Sequence, residues 1–263
     1  MTVDEKLAAL RSILEAHAPL LVAYSGGVDS ACLLAFATQT LGERVQGVIA
    51  DSASLPRAAL REAIENAAEF GSTVEVIRTE EFDNPAYVAN PVNRCYFCKA
   101  ELFTQMEALA RDRGCLAIAY GENADDPAHL RPGSQAAAEF SVIAPLKAAG
   151  LRKADVRELA RHLGLKNADA PAQPCLSSRI PHGVPVTPDA LALVEAGEAA
   201  IRALGFRVFR VRYLPGPPPA ARLQVAPDEF GQLDVQRAAI GVALRTAGFS
   251  DFEIDEAGYR SPA

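Results

Sequence analysis

Ser25-Gly26-Gly27-Val28-Asp29-Ser30 follows the apolar run Pro19-Leu20-Leu21-Val22-Ala23-Tyr24 and precedes a helix-compatible stretch from Ala31 to Leu41. A buried strand, a Gly-rich turn and a helix start together make an anion site. Gly26 and Gly27 let backbone N–H groups approach phosphate oxygens, and the unpaired amides of a first helical turn add partial positive charge. The hydroxyls of Ser25 and Ser30 complete the cradle. A Walker loop would carry a Lys after its second Gly for the β- and γ-phosphates, and none stands here. The plain alternative is a Gly turn with Asp29 as a helix cap.

A second set of reactive side chains is the thiols. Cys95 and Cys98 lie two residues apart ahead of a helical segment predicted over 98–113. Such a pair can turn both sulfurs to one metal or to each other, and a helix N-terminus favours thiolate. By itself the pair fits a metal site, a redox pair or two packing thiols. Cys175 lies in Pro171-Ala172-Gln173-Pro174-Cys175-Leu176-Ser177-Ser178-Arg179-Ile180-Pro181, which can continue neither a helix nor a central strand. Its thiol is expected on a loop, with Arg179 available to stabilise a thiolate. Cys32 and Cys115, inside one helix and at the head of one strand, read as small core residues. Three functional cysteines would leave a fourth ligand position open. In an iron–sulfur cluster the open iron can take a further sulfur; zinc would need a fourth ligand, with His182 nearest. The cluster is the preferred reading, with Cys95, Cys98 and Cys175 as ligands.

Between Ala199 and Pro227 stand Arg202, Arg207, Arg210, Arg212 and Arg222 with no acid. Arg210 and Arg212 are two apart in a predicted strand, so their forks leave one face ~7 Å apart. Guanidinium forks match phosphate or carboxylate bidentately; a solvated basic strand is the alternative. Glu198 is placed to orient these arginines or a water. Asp29, with Asp125 or Asp126, is a candidate to hold Mg²⁺ or a ribose.

The elements that must position these groups alternate as β and α. Strands are expected at Leu20–Tyr24, Val45–Ala50, Thr73–Arg78 and Leu116–Tyr120, with a shorter one near Val142. Helices are expected at 3–16, 31–41, 57–70, 98–113 and 153–163. That rhythm predicts an α/β fold with a parallel sheet covered by helices on both faces. Ligands of such sheets bind beyond the carboxyl ends of the strands, so Ser25–Ser30, Asp51–Ser52 and Gly121–Asp126 should face one crevice. From Thr187 the pattern changes to helix 188–204, strands 208–213 and 221–225, helix 228–247 and a last strand 252–255. Two domains follow, 1–186 and a small α+β unit at 187–263. The 263 residues suffice for both, since single cores stop growing at ~250–300 residues.

Composition narrows the partners. With 26 basic and 33 acidic side chains, the net charge of −7 suits a small-molecule substrate better than a nucleic acid. No apolar run approaches the ~20 residues that span a bilayer, and no signal peptide opens the chain, so a cytoplasmic protein without a membrane partner is expected. Five cysteines, an odd number, point in a reducing compartment to metal or catalysis rather than a disulfide frame.

The Ser25–Ser30 loop resembles that of the PP-loop ATP pyrophosphatases, which hold the pyrophosphate part of ATP and leave the α-phosphate open to attack. Together with Gly121-Glu-Asn-Ala-Asp-Asp126, Arg131-Pro-Gly133, Ala144-Pro-Leu146, Pro171-Ala172, Cys175-Leu-Ser-Ser-Arg-Ile-Pro181 and Tyr259-Arg-Ser261, the chain resembles the LarE-type sulfur transferases over nearly its whole length. The family usually carries a bulky pair ahead of Pro171-Ala172, where this chain has Asn167-Ala168-Asp169-Ala170. The resemblance implies ATP-dependent thiolation of pyridinium-3,5-biscarboxylic acid mononucleotide, in synthesis of the nickel-pincer nucleotide cofactor. A substrate carboxylate would attack the α-phosphate with Mg²⁺ assisting, and the acyl-adenylate would then meet a sulfur nucleophile. In one branch of the family a single Cys gives up its sulfur and becomes dehydroalanine. In another, three Cys hold a [4Fe–4S] cluster whose free iron carries the sulfur, and Cys95 and Cys98 beside Cys175 match that branch. The resemblance also implies a homo-oligomer and admits a separate sulfur donor.

Three rivals differ in what they require. A tRNA-thiolating enzyme would want a basic stripe, since phosphate contacts dominate nucleic-acid affinity. An ammonia-using synthetase would have no use for Cys175. A non-catalytic nucleotide sensor would make no adenylate from any substrate.

Overall fold

In the computed structural model, which describes residues 1–127, 132–171 and 173–259, contacts divide the chain into two units. The first comprises Met1–Ser52, Arg57–Glu81 and Asn93–Pro171; the second comprises Ala53–Pro56, Phe82–Val92 and Ala172–Ala263. Arg131, Ala172, Arg260 and Ser261 of the motifs above lie outside the described residues.

In chain order the elements are α1 (Val3–Ala16), β1 (Leu20–Ala23), α2 (Val28–Leu41), β2 (Val45–Asp51), α3 (Arg57–Glu69), β3 (Val74–Arg78), α4 (Pro85–Val88), α5 (Arg94–Arg113), β4 (Ala117–Tyr120), α6 (Pro132–Glu139), α7 (Pro145–Ala148), α8 (Lys153–His162), α9 (Pro188–Ala203), β5 (Phe209–Leu214), β6 (Ala220–Val225), α10 (Phe230–Ala247) and β7 (Phe252–Ile254). The α/β expectation holds. Near Val142 no strand of its own forms; Ile143 makes a single parallel bridge to Ala119.

The first unit is built on a four-stranded, all-parallel sheet in the order β3-β2-β1-β4. Leu20, Leu21 and Val22 of β1 are buried, as a strand between two others and beneath helices requires. The chain steps outward from β1 to β2 to β3 and then crosses to β4 on the other side of β1. That reversal opens a crevice beyond the carboxyl ends of β1 and β4, and both candidate phosphate-side loops begin there. Helix α2 is apolar all round, with every residue from Ala31 to Ala37 buried, because it packs against α1, α8, β1 and β2. Gly47 of β2 permits this approach: a Cβ there would stand 2.7 Å from Leu34 Cδ2 and 3.0 Å from Val74 Cγ2. The sheet's other packing partners include α5 and α6, which bring Phe103, Met106, Ala136 and Ala137 onto Leu21, Val48, Ile118 and Tyr120.

The second unit has a three-stranded sheet, β5-β6-β7, antiparallel between β5 and β6 and parallel between β6 and β7. The Pro-rich segment 215–219 is the β5–β6 turn, since Leu214 pairs with Ala220. Helix α9 packs on β5 and on α10, and Gly197 sits where a Cβ would meet Phe249 at 2.8 Å and Val211 at 3.3 Å. The contact division differs from a boundary at residue 186. Residues 173–186 are bonded to the α4 region: Val186 N–H donates to Val88 C=O at 2.9 Å and Gly183 N–H to Asn90 C=O at 3.0 Å. The buried Asn90 side chain also donates to the carbonyls of Pro181 and Val184, at 2.8 and 3.0 Å. Among the described residues no helix is long and apolar enough to cross a membrane.

Gly47→Val should lower stability by about 1–3 kcal/mol, the range for overpacking a filled core, read as a lower urea midpoint with an unchanged denaturant slope.

Candidate functional site

The anion loop is stiffened by its own serines. Ser30 Oγ accepts from Ser25 N–H at 3.2 Å, lies 3.1 Å from Ser25 Oγ and donates to Gly27 C=O at 3.0 Å. Gly26 has φ +76°, and a Cβ there would stand 2.8 Å from Ala63 Cβ, so glycine is required twice over. Helix α2 begins at Val28 with Gly27 as its cap residue and no side-chain cap. The amides of Val28, Asp29 and Ser30 are thus presented by a helix N-terminus, and Gly27 is exposed. Gly121 lets the loop after β4 cross that helix start: a Cβ there would be 2.6 Å from Ser30 N.

Around the loop the structure brings in lysines that carry no motif in the sequence. Lys153 Nζ bonds Asp29 Oδ2 at 2.7 Å while the Lys153 amide donates to Asp125 Oδ2 at 2.9 Å, which ties α8 to both acidic segments. Asp29 Oδ1 is buried and has no hydrogen-bond partner. Asp126 Oδ2 accepts from Asn123 N–H at 3.1 Å and so shapes its own turn. Lys147 Nζ reaches Asp126 C=O at 3.2 Å and Glu122 Oε1 at 3.3 Å. Glu122 is buried; burial alone would raise its pKa, but hydrogen bonds from Ser134 and Tyr120 and the Lys147 ammonium outweigh that and hold it below the usual carboxylate range. At the end of β2, Asp51 is paired with Arg57 and Ser52 Oγ bonds Glu81.

Asn167 belongs to the small polar segment ahead of Pro171. Its side-chain amide donates to Gly26 C=O at 2.8 Å. Arg157 holds the carbonyls of Ala168 and Ala170 at 2.9 and 3.2 Å, and Arg161 pairs with Asp169 at 2.8 Å.

The second unit gathers the arginines predicted to bind an anion. Arg179 and Glu198, both buried, form a two-point pair at 2.8 and 3.1 Å. Arg179 Nη1 also donates to the carbonyls of Pro174 and Cys175 and to Ser178 Oγ, at 2.6, 3.0 and 3.0 Å. The guanidinium therefore clamps the Cys175 loop through its backbone. Glu198 Oε1 further accepts from Val211 N–H at 3.2 Å, which joins the clamp to β5. Cys175 is half-buried and immediately precedes the short 3-10 turn Leu176–Arg179, to which its side chain gives no capping bond.

A cavity of about 260 Å³ is lined by Pro174, Ser178, Arg210, Arg212, Gln224 and Tyr259. Its walls flank Cys175 on both sides in sequence. Arg212 donates to Ser178 C=O and to Gln224 Oε1, each at 2.7 Å, and Arg210 bonds Tyr259 Oη at 2.7 Å while lying over its ring. Burial and the neighbouring Arg179 both lower the pKa values of Arg210 and Arg212. Glu198, and Asp255 through its charge on Arg212, are the carboxylates that act on these three guanidinium groups, so one positive charge is left for an anionic ligand to neutralise. The other arginines of the run are engaged elsewhere: Arg202 lies over Phe209, Arg207 beside Glu229, and Arg222 is paired with Glu253.

Cys95 is exposed and Cys98 half-buried, the second and fifth residues of α5, which begins at Arg94, four residues ahead of the expected start. Tyr96 packs edge-on to Phe97 and bonds Glu139. Cys32 is fully buried, and burial with the nearby Asp29 pushes its thiol up to about 12. Cys115 precedes β4 rather than opening it and is only partly buried against the core. His182 is exposed. Among the described residues no group of three or more His, Cys, Asp or Glu side chains gathers to hold a metal.

A parallel sheet with a Gly-rich anion loop at its switch point, followed by a small C-terminal sheet, defines an α/β protein of the PP-loop ATP pyrophosphatase type. No family model matches the chain. Over 261 residues, 99% of this chain and 94% of the relative, it is 31% identical to the pyridinium-3,5-bisthiocarboxylic acid mononucleotide synthase of Lactiplantibacillus plantarum. The chain belongs to the LarE-type family of that synthase. It is also 38% identical over 262 residues, 98% of this chain and 96% of the relative, to an uncharacterized protein of Synechocystis. A further uncharacterized protein, from Methanocaldococcus jannaschii, is 27% identical over 196 residues, 73% of each chain.

Glu198→Gln should cost about 3–5 kcal/mol, the range for breaking a buried ion pair, measured by chemical denaturation. It should also make the 173–180 segment more susceptible to limited proteolysis, because Arg179 loses the partner that holds its clamp.

Proposed function

We propose that this chain is an ATP-dependent sulfurtransferase that adenylates the carboxylates of pyridinium-3,5-biscarboxylic acid mononucleotide and replaces carboxylate oxygen by sulfur, in nickel-pincer nucleotide biosynthesis. The observation that carries the proposal is the identity to a synthase of the corresponding bisthiocarboxylic acid over nearly the full chain. Two chemically distinct anion sites within the chain support it, an amide-lined loop in the first unit and an arginine-lined cavity in the second.

In this scheme a substrate carboxylate oxygen attacks the α-phosphorus of ATP and the bond to the bridging oxygen breaks. Pyrophosphate leaves against the amides of residues 27–30 and the Ser25 hydroxyl, where fixed dipoles meet the developing charge. Mg²⁺ would be held by Asp29, whose Oδ1 has no hydrogen-bond partner, with Asp125 or Asp126, and when bound would neutralise phosphate charge; such ions commonly take one or two carboxylates and complete their shell with phosphate and water. Asp51, Ser52 and Gly121, at the carboxyl ends of β2 and β4, border the nucleotide. Arg210 and Arg212 take the substrate's phosphate or its second carboxylate, and Arg179 with Glu198 holds the Cys175 loop. A sulfur nucleophile then attacks the acyl carbon and AMP departs.

For the sulfur source, the accessible thiols Cys95 and Cys98 together with Cys175 support a [4Fe–4S] carrier. In the second reading Cys175, on the loop clamped by Arg179, itself attacks the acyl-adenylate. Loss of its Cα proton would then break the Cβ–S bond, leaving dehydroalanine and a thiocarboxylate. Assembly as a homo-oligomer, action in the cytoplasm and a separate sulfur donor for a recycled carrier complete the proposal.

Incubation with ATP, Mg²⁺ and the biscarboxylic nucleotide should give a sulfur-containing product by mass spectrometry, and Cys175→Ala should abolish it while leaving ATP binding intact. Undiminished sulfur insertion by that variant overturns both sulfur readings. About four iron per chain after anaerobic reconstitution, lost in Cys95→Ala, identifies the cluster carrier. No iron, together with a Cys175 peptide lighter by one H₂S after turnover, identifies the sacrificial thiol.

A further inference from the structure

We infer that Asn167 is a positioning residue for the phosphate loop: its side-chain amide fixes the orientation of the Gly26–Gly27 peptide and thereby aims the Gly27 N–H at the leaving pyrophosphate. The inference rests on the reading of this loop as the ATP site. A trans peptide is planar, so the Gly26 carbonyl and the Gly27 N–H point in opposite directions. Asn167 Nδ2 donates to that carbonyl at 2.8 Å, and a carbonyl partner requires the amide nitrogen, not the oxygen, to face it. Gly26 and Gly27 are the residues of the loop best able to turn this peptide over, since neither carries a Cβ to oppose the rotation. In the turned-over state a carbonyl oxygen would face the anion and repel it.

The loop's other internal bonds do not hold this group. The Ser25 and Ser30 bonds end on the Gly27 carbonyl and on each other, so the Gly26–Gly27 peptide depends on Asn167. Asn167 is itself held in place by its neighbours: Arg157 fixes the carbonyls of Ala168 and Ala170, Leu165 N–H bonds Ala160 C=O at 2.9 Å, and Lys166 pairs with Glu69. The small polar segment that departs from the family's bulky pair thereby gains a function in phosphate binding.

The test compares Asn167→Ala with Asn167→Asp, which keeps the shape but has no donor at neutral pH. ATP affinity is measured by titration calorimetry with MgATP on the full chain, and the KM for ATP, kcat and thermal midpoint are measured beside it. Both variants should weaken ATP binding about tenfold, the upper end for one lost hydrogen bond. Asn167→Asp should be the weaker, because its charge faces both the Gly26 carbonyl and the phosphates. KM for ATP should rise with little change in the thermal midpoint, and lowering pH toward the carboxyl's protonation should partly restore Asn167→Asp but not Asn167→Ala. Wild-type affinity in Asn167→Asp would overturn the inference and leave the ATP site standing; a wild-type protein that binds no MgATP would overturn both.

Discussion

Backbone amides at the start of a helix can serve an anion only if something keeps them from being capped, and the packing of α2 does this. From Ala31 to Ala37 the helix is buried on every side, packed against α1, α8 and the sheet, which fixes its axis and its first turn. The glycines at 26, 47 and 121 then set the distances: each occupies a place where a Cβ would collide with Ala63, Leu34 or the backbone of Asp29 and Ser30. The loop is rigid for the same reason that it is open. Its side chains are small enough to bond one another and leave the amides for a ligand.

Charge is distributed on the same plan in the two units. In the first, Lys153 and Lys147 are matched against Asp29 and Glu122, close to neutrality, which leaves helix dipoles as the main field that an anion would meet. In the second, only Arg179 is fully matched, by Glu198, while Arg210 and Arg212 bond to a phenol, an amide and carbonyls. That imbalance, partly buried, is electrostatically unfavourable in the empty protein and favourable with an anion bound. Glu198 thus has a double task. It neutralises the guanidinium that holds the Cys175 loop, and through Val211 it fixes the strand from which Arg210 and Arg212 project.

The sheet was legible in the sequence because buried parallel strands are short continuous apolar runs, and β1 to β4 appear within two residues of where those runs lie. Helices with a clear start, such as α9 behind Thr187 and Pro188, were equally plain. The start of α5 was not, since Asn93 and Arg94 offer no side-chain cap and the Cys-Tyr-Phe-Cys run has no helical periodicity. The short helices α6 and α7 gave no signal beyond Pro at or near their first positions. The contact division reflects hydrogen bonds that Asn90 donates and Val88 accepts across about 90 positions of chain, which no local pattern records. Lys153 and Asn167 escaped notice for the same reason: each acts across more than 120 residues of chain, on Asp29 and on Gly26. The motif residues Ser25, Gly26, Gly27, Ser30 and Cys175 were found because their surroundings, glycine turn or proline-rich loop, are visible in one dimension.

ATP–pyrophosphate exchange, measured on the Cys175→Ala protein with and without the biscarboxylic pyridinium nucleotide, tests most directly whether this fold activates a carboxylate through its glycine loop. Adenylation by that loop predicts exchange that requires the nucleotide, persists without the thiol and disappears in Gly26→Val. Exchange that is absent with the nucleotide present, in this variant and in the wild-type protein alike, would contradict it.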